Sequence, residues 1–295
     1  VLFDYYHRGE YDEFWQQEFN DFERNFHRHA DIPATFTDGW FDPYAVGMAA
    51  YFTAMARQND SPQRLVIGPW THVGMRGEGT SIGDVDFGPG CIWGLDHYFD
   101  QQLVFFDRWL KDRSSGEDPQ APVRIFVMGG GSGCRTTAGK LDHGGCWRHE
   151  NEWPLARTEW RKLHLYADGA LDDAVPAEDG KPLSYSYDPE HPVPTIGGNS
   201  CGMMELPEDT GDLDPMWKRY LHPVTRLRHI VTPGPRHQKE EADVFGARPP
   251  FPLLADRPDV LVFQSDPLEG AVEVTGSARV ELWISSSAPD TDFTA

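Results

Sequence analysis

Two short apolar runs flank a helical pattern in the first quarter of the chain. The first run leads into the segment Gly39–Tyr44, and the second run, Arg64–Ile67, leads into Gly68–His72. Between them, apolar residues in Ala45–Met55 recur at steps of three and four, the spacing of one helix face. Short continuous apolar runs are typical of strands in a parallel sheet that is covered on both faces. The pattern therefore predicts a βαβ unit.

The two segments that follow these strands carry an acid and a base. A parallel crossover brings both strand ends to the same edge of the sheet, and ligand sites of open α/β sheets lie at that edge. Asp42 and His72 are therefore predicted to be neighbours. A carboxylate that accepts from His Nδ1–H fixes the tautomer in which Nε2 takes a proton from a nucleophile. The alternatives are that Asp42 only caps the helix, and that Asp38, nearer the strand end, is the acid.

Three aromatic residues lie close in sequence to the predicted pair. Trp40 and Tyr44 flank Asp42, and Trp70 precedes His72. We predict that they wall a substrate pocket and exclude water, with simple packing as the equally open alternative for the two tryptophans.

The remaining pattern divides the chain into two kinds of structure. Residues 1–32 are polar and aromatic and predict a helix, and Trp93–Lys111 predicts a long amphipathic helix. After a linker at Arg113–Pro122, alternation at period two begins. Six short strands are predicted there: Val123–Met128, Leu163–Tyr166, Leu183–Tyr187, Val260–Phe263, Val272–Val274 and Ala278–Ile284. This texture predicts an all-β second domain, a sandwich or jelly roll.

Composition narrows the possible partners. The 295 residues carry a net charge of −21, which argues against a nucleic-acid partner because such a partner requires a basic face. No apolar run reaches the roughly 18 residues of a membrane helix, so no membrane partner is predicted, and a homo-oligomer stays open. The four cysteines are interpreted as free thiols, with a Cys134–Cys146 disulfide as the alternative in an oxidising compartment. The compartment is not fixed, but the cytoplasm is favoured over secretion.

Three motifs allow other functional interpretations. Gly79–Gly83 matches G-x-S-x-G, but a nucleophile elbow needs a strand before it and a helix after it, and polar residues precede this segment. We therefore interpret Ser81 as a loop residue. Four potential zinc ligands are spaced too loosely for a structural site, namely Cys134, His143, Cys146 and His149. The acidic pair Asp290 and Asp292 is a weak calcium signal. No metal and no cofactor are predicted.

The residues described above, with further segments in the same order, resemble the cocaine esterase / X-Pro dipeptidyl-peptidase family. The matching segments are Tyr11–Trp15, Gly39–Tyr44, Gly68–His72, Phe105–Leu110, Val127–Gly129, Trp153–Pro154, Tyr187–Gly198, Val274–Gly276 and Ser285–Phe293. They cover nearly the whole chain.

This resemblance implies a fold and a chemistry. The expected fold is α/β followed by all-β: residues 1–27 end a helical cap, residues 28–115 form the C-terminal part of an α/β-hydrolase domain, and residues 116–295 form a galactose-binding-like jelly roll. The expected activity is cleavage of ester, amide or short-peptide substrates through an acyl-enzyme, with Asp42 as triad acid and His72 as base. The order Ser–Asp–His in this fold places the serine upstream of Val1. We therefore expect a fragment that is truncated at both ends and inactive by itself.

Departures from the family pattern and other function classes stay open. Residues 129–150 are longer than is usual in the family, and His237 stands where an aspartate is common. Pro43 and Tyr44 follow Asp42, which counts against the α-amino-acid ester hydrolases, because those carry extra carboxylates there. The alternative functions are a carbohydrate- or partner-binding β-sandwich module and a pseudoenzyme without catalysis.

Overall fold

The computed structural model describes residues 7–17, 21–72, 79–113, 121–177, 180–200, 203–205, 227–229, 231–289 and 291–295. Among the described residues, α-helices are formed by α1 (Ala45–Gln58) and α2 (Gly94–Lys111), and short 3-10 helices lie at Glu23–Arg28, Pro89–Cys91 and Leu254–Asp256. The strands are β1 (Ala34–Phe41), β2 (Gln63–Thr71), β3 (Ser81–Ile82), β4 (Val85–Asp86), β5 (Val123–Met128), β6 (Leu141–Asp142), β7 (Gly145–Glu150), β8 (His164–Leu165), β9 (Leu171–Asp172), β10 (Met203–Glu205) and β11 (Leu227–His229).

The predicted βαβ unit is confirmed. Strands β1 and β2 pair in parallel, with Ala34 opposite Gln63 and Gly39 opposite Gly68, and α1 is the crossover between them. The backbone N–H of Asn59 bonds the Met55 carbonyl at the C-terminal end of α1. After Gly39 the register shifts, so the two strand ends bend at the edge where Asp42 and His72 follow. Bulges of this kind re-aim side chains next to functional sites.

A hydrophobic core fixes α1 against this sheet. Phe52 and Met55 of α1 pack on Phe36, Leu65 and Ile67 of the strands, and each of these five side chains is buried. Apolar residues at helical spacing on α1 therefore face the apolar residues of β1 and β2, as the sequence pattern predicts.

Strands β5 and β7 extend the same sheet. The strand order is β1-β2-β5-β7, with β5 parallel to β2 and antiparallel to β7. On the face of the sheet opposite α1, Val66 and Trp70 pack with Trp93. The strand prediction at Val123–Met128 is confirmed, while the boundaries of the three predicted domains stay a prediction.

Several strand predictions in the second half are wrong. Strand β8 confirms the centre of Leu163–Tyr166, but the structure has no strand in four other predicted segments, 183–187, 260–263, 272–274 and 278–284. Their alternating apolar residues are largely exposed, with Val274 86% and Leu282 46% exposed. Alternation indicates which face of a strand is apolar, but a strand also needs a partner for its backbone groups, and within the described part of the chain these segments have no partner strand. The jelly roll remains a prediction.

The helix predicted over residues 1–32 is largely wrong. Its described part contains turns and the 3-10 helix Glu23–Arg28, while residues 1–6 and 18–20 lie outside the described residues. The Asp12 side chain accepts from the Phe14 backbone N–H. Such a local side-chain bond offers the backbone an alternative to a regular helix. The helix predicted at 93–111 is confirmed as α2.

Among the described residues, none of the helices is both long and apolar enough to span a bilayer. Cys91, Cys134 and Cys146 are free thiols, so the alternative Cys134–Cys146 disulfide is not formed in this structure.

Candidate active site

Asp42 lies in the turn that joins β1 to α1. Its side chain is buried, and its Oδ1 accepts from the Tyr44 backbone N–H at 3.0 Å. The Asp42 backbone is also hydrogen-bonded. Its carbonyl accepts from the Ala45 N–H, and its N–H donates to the Gly39 carbonyl. These bonds hold the carboxyl group in one orientation at the edge of the sheet.

His72 follows the end of β2 at the same edge. Its Nδ1 lies 3.0 Å from Asp42 Oδ2, so the parallel crossover brings together the acid and the base predicted from the sequence. The Asp42 side chain is 3% exposed and the His72 side chain 36% exposed. Among the described residues, none hydrogen-bonds Nε2 of His72. His72 therefore has Nδ1 in contact with a buried carboxylate.

Tyr44 lies beside His72. Its ring centroid is 5.3 Å from that of His72, with the planes tilted by 59°, and its side chain is exposed. Of the three predicted wall residues, this is the one that the structure brings into contact with the pair.

The two tryptophans contact other parts of the molecule. Trp40 Nε1–H donates to the Phe126 carbonyl at 2.8 Å, and its ring lies 5.8 Å from that of Trp153. Trp70 is buried, and its Nε1–H donates to the Cys91 carbonyl at 3.1 Å. Their role as pocket walls stays a prediction.

Two glycines allow Trp70 to approach the sheet. A Cβ atom on Gly68 would lie 2.4 Å from the Trp70 ring, and a Cβ atom on Gly39 would lie 2.2 Å from the Trp70 carbonyl oxygen. Both positions therefore require glycine. Without side chains there, Trp70 can pack against the ends of β1 and β2, which lead to Asp42 and His72.

A second carboxyl group is buried beside the pair. Asp38 of β1 is 3% exposed, and its Oδ1 accepts from the Gly39 N–H at 2.8 Å. Burial is the largest cause that raises the pKa of Asp38, to about 7. The Gly39 N–H lowers this pKa, the adjoining Asp42 carboxylate raises it, and His72 has the smallest, lowering effect. The sequence shows Asp38 only as a competing acid; the structure places His72 Nδ1 on Asp42, with Asp38 behind that carboxylate.

Ser81 has the surroundings of a loop residue. Its hydroxyl donates to Asp86 Oδ2 at 3.2 Å, and it begins the short strand β3, which pairs antiparallel with β4. The G-x-S-x-G match therefore lacks the strand-to-helix turn that exposes a nucleophile in an α/β-hydrolase.

The loosely spaced cysteines and histidines do not form a metal centre. Cys146 and His149 are an odd number of residues apart on β7, and such residues point to opposite faces of a strand. Within the described part of the chain, no three His, Cys, Asp or Glu side chains are grouped as metal ligands.

Comparisons with known proteins identify relatives over most of the chain. The family model described as X-Pro dipeptidyl-peptidase of the S15 family matches residues 1–74, the region that holds Asp42 and His72. The model of the X-Pro dipeptidyl-peptidase C-terminal non-catalytic domain matches residues 115–295. Cocaine esterase from Rhodococcus sp. (strain MB1 Bresler) is 30% identical over 274 residues, which are 89% of this chain and 37% of that protein. The chain thus spans well under half the length of this relative.

Solved structures give weaker similarities. An aminopeptidase from the marine sediment archaeon Thaumarchaeota archaeon has a TM-score of 0.45 and 22% identity, over 60% of this chain and 26% of its own. A CocE/NonD family hydrolase from Staphylococcus aureus has a TM-score of 0.39 and 16% identity, over 59% of this chain and 25% of its own chain. These scores are too low to support an argument about function.

Proposed function

The chain belongs to the cocaine esterase and X-Pro dipeptidyl-peptidase family of hydrolases, and from this premise we propose that it supplies the acid and the base of a serine hydrolase. The observation that carries the proposal is the 3.0 Å contact between His72 Nδ1 and Asp42 Oδ2. It lies at the carboxyl edge of a parallel pair of strands, where α/β folds place their ligands.

The proposed mechanism is acyl transfer through a covalent intermediate. Asp42 accepts from Nδ1–H of His72 and so keeps Nε2 unprotonated. Nε2 takes the proton of a serine hydroxyl as its oxygen attacks the substrate carbonyl, and Asp42 stabilises the imidazolium that forms. His72 then gives this proton to the leaving alcohol or amine. Water attacks the acyl-enzyme by the same proton transfers and regenerates the serine.

The serine is proposed to lie N-terminal to Val1. The α/β-hydrolase fold orders its triad Ser–Asp–His along the chain, and Ser81 follows both Asp42 and His72. In this arrangement residues 1–27 end a cap, residues 28–115 complete the hydrolase domain and residues 116–295 form the β-sandwich. The cap closes the site and holds much of the substrate specificity.

The proposed substrates are small-molecule esters, amides and short peptides. The relatives carry names that refer to cocaine, an ester, and to X-Pro dipeptides. A carboxylate–imidazole pair can act on an ester bond or an amide bond, because the same proton transfers serve an alcohol or an amine leaving group.

The test is hydrolysis by the intact protein of an aryl acetate ester and of an X-Pro anilide. His72→Ala is expected to lower kcat by a factor on the order of 10³ or more while the circular dichroism spectrum is retained. Ser81→Ala is the matched control and is expected to keep wild-type rates.

Two outcomes would count against the proposal. One is a His72→Ala protein that hydrolyses both substrates at the wild-type rate. The other is a folded wild-type protein without hydrolysis of either bond type, which would favour a binding module or a pseudoenzyme instead.

A further inference from the structure

The carboxyl group of Asp38 is buried next to another carboxyl group without an evident partner for one of its oxygens. Oδ1 accepts from the Gly39 N–H, while Oδ2 is buried and, among the described residues, has no donor. Asp38 lies close enough to the Asp42 carboxyl group and to His72 for both to affect its pKa. Burying an oxygen without a hydrogen-bond donor costs free energy, so we ask which group could satisfy Oδ2.

Among the described residues, two charged groups affect the pKa of Asp38. Asp42 faces it from the turn after β1, and His72 faces it from the end of β2. From α1 the residues packed against this face of the sheet are apolar, and β5 contributes Val123 and Ile125 there. The positively charged side chain of β5, Arg124, lies over the Trp147 ring and not beside Asp38. Its guanidinium carbon is 4.5 Å from the centroid of that ring.

Two ionised carboxylates with one imidazolium would leave a net negative charge in this buried space. Like charges at short distance disfavour double ionisation, and a shared proton is the usual outcome when two carboxyl groups meet. A proton on Asp38 Oδ2 would turn an acceptor-acceptor contact into an O–H···O⁻ hydrogen bond. Such bonds to an ionised group are among the stronger ones in proteins.

We propose that Asp38 is a positioning residue of the triad: a protonated carboxylic acid whose Oδ2–H donates to the ionised Asp42 carboxylate. This bond gives Oδ2 a partner and adds a third donor to Asp42, besides the Tyr44 N–H and His72 Nδ1–H. The acid pair then carries a single negative charge, which matches the single positive charge of the His72 imidazolium.

The proposal implies a dependence on pH. Burial and the neighbouring carboxylate raise the pKa of Asp38 to about 7, so this proton is held in mildly acidic solution and lost above neutrality. Its loss removes a donor from Asp42 and adds a second negative charge beside His72. The consequence for catalysis rests on the proposed function, but the shared proton itself does not.

The direct test is detection of the Asp38 proton in the intact protein labelled with ¹³C at the aspartate carboxyl carbon. At about pH 5 an ordinary aspartate is ionised, so one carboxylic acid signal is expected to persist there. It should vanish in Asp38→Asn and remain in Asp60→Asn, the control, since Asp60 is exposed. An Asp38 signal in the ionised form at this pH would overturn the proposal, whether or not the protein is an active hydrolase.

Kinetics test the positioning role separately. Asp38→Asn preserves shape and keeps a donor toward Asp42, whereas Asp38→Ala removes the donor. We expect Asp38→Ala to lower kcat about tenfold or more with little change in KM, because Asp42 then loses a donor that fixes its position beside His72. Asp38→Asn is expected to recover most of that loss and to remove the fall in kcat that loss of the Asp38 proton causes as pH rises above neutrality, while the acidic limb set by the histidine base remains.

Equal losses in the two variants, or an unchanged pH profile in Asp38→Asn, would contradict the positioning role. If Asp38→Ala does not fold, the Asp38→Asn pH profile alone decides. If the intact protein lacks hydrolase activity, the proposed function fails while the carboxyl signal still decides the shared proton.

Discussion

The Asp42 carboxyl group uses its two oxygens for two different tasks. Oδ1 is bound to the Tyr44 backbone N–H, and Oδ2 to His72 Nδ1. The first bond ties the side chain to the start of α1, so the second bond is made from a fixed position. The N-cap position of α1 is Tyr44 and has no side-chain cap, so Asp42 supports the turn before the helix and is not its N-cap.

The substitution Asp42→Asn replaces one carboxylate oxygen by an amide nitrogen and tests whether Asp42 determines the tautomer of His72. In Asp42→Asn the amide N–H₂ can donate to Nδ1, which would leave the proton on Nε2 and block its action as a base. We expect kcat to fall by a factor on the order of 10⁴ with nearly unchanged KM. Steady-state hydrolysis by the intact protein measures both, and a loss of less than about tenfold in kcat would contradict the assigned role.

Asp38 also affects stability, with a defined sign. Its pKa is raised from 3.8 to about 7 in the folded state, so between these values the folded protein binds more protons than the unfolded chain. This group therefore makes the free energy of unfolding fall as pH rises through that window, by at most about 1.4 kcal/mol per pH unit.

Urea unfolding of Asp38→Asn across the same window measures this contribution. We expect a smaller fall in the free energy of unfolding between about pH 4 and pH 7 than in the wild type. Asp60→Asn removes an equal charge at an exposed site and should follow the wild type. A wild-type slope in Asp38→Asn would show that Asp38 is already ionised in the acidic part of the window.

A buried ion pair outside the site carries a separate stability prediction. Glu240 is 0% exposed, and its Oε1 lies 2.7 Å from Arg257 Nη1. Arg257→Met would leave this carboxylate without its partner, at a cost of about 3–5 kcal/mol. Arg248→Met is the control, because the Arg248 side chain is exposed and its backbone N–H supplies the contact with Glu240. Equal thermal unfolding of both variants would contradict this account.

At the scale of elements, the end of β2 depends on close packing around Trp70. A methyl group at Gly68 would meet the buried Trp70 ring at 2.4 Å, and a buried ring has little room to move. We expect Gly68→Ala to lower the free energy of unfolding by about 1–3 kcal/mol and to weaken the His72 contact with Asp42.

The matched control for Gly68 is another glycine with open space around it. Gly47 lies in α1 and has no heavy atom within 4 Å of an added Cβ. Gly47→Ala is expected to stabilise the protein by up to about 1 kcal/mol, because alanine favours a helix. Chemical unfolding compares the two variants, and a stabilising Gly68→Ala would show that Trp70 can move aside.

The sequence predicts the elements of the site better than their surroundings. The 3.6-residue period of α1 and the apolar run of β2 are local patterns, and the parallel crossover then determines that Asp42 and His72 meet. The burial of Asp38 depends on α1 covering that face of the sheet, which no local pattern shows. The strand prediction at 183–187 is wrong for the same reason, because alternation predicts the apolar face of a strand but not the neighbouring strand that it pairs with.

At the scale of the whole molecule, one face of α2 is apolar and exposed. Its large apolar residues are between 49% and 76% exposed and recur at steps of four and three: Phe99, Leu103, Phe106 and Leu110. A contiguous exposed apolar stripe favours association, so the 295-residue chain studied by itself is expected to self-associate.

Sedimentation velocity at several concentrations measures this tendency. Leu103→Lys is expected to reduce association, because it places a charge in the middle of the stripe. Val46→Lys is the control, since Val46 is 75% exposed on α1 and lies away from the stripe. Equal association of the two variants would show that the α2 stripe is not the contact surface.

The most direct test of the central claim is covalent labelling of the intact protein with a fluorophosphonate, followed by peptide mapping. The account predicts that the label is on a serine N-terminal to Val1 and that labelling is slowed at least about a hundredfold in His72→Ala, because Nε2 removes the serine proton. A label on Ser81, or labelling that is unchanged in His72→Ala, would contradict the assignment of Asp42 and His72 as the acid and base of the triad.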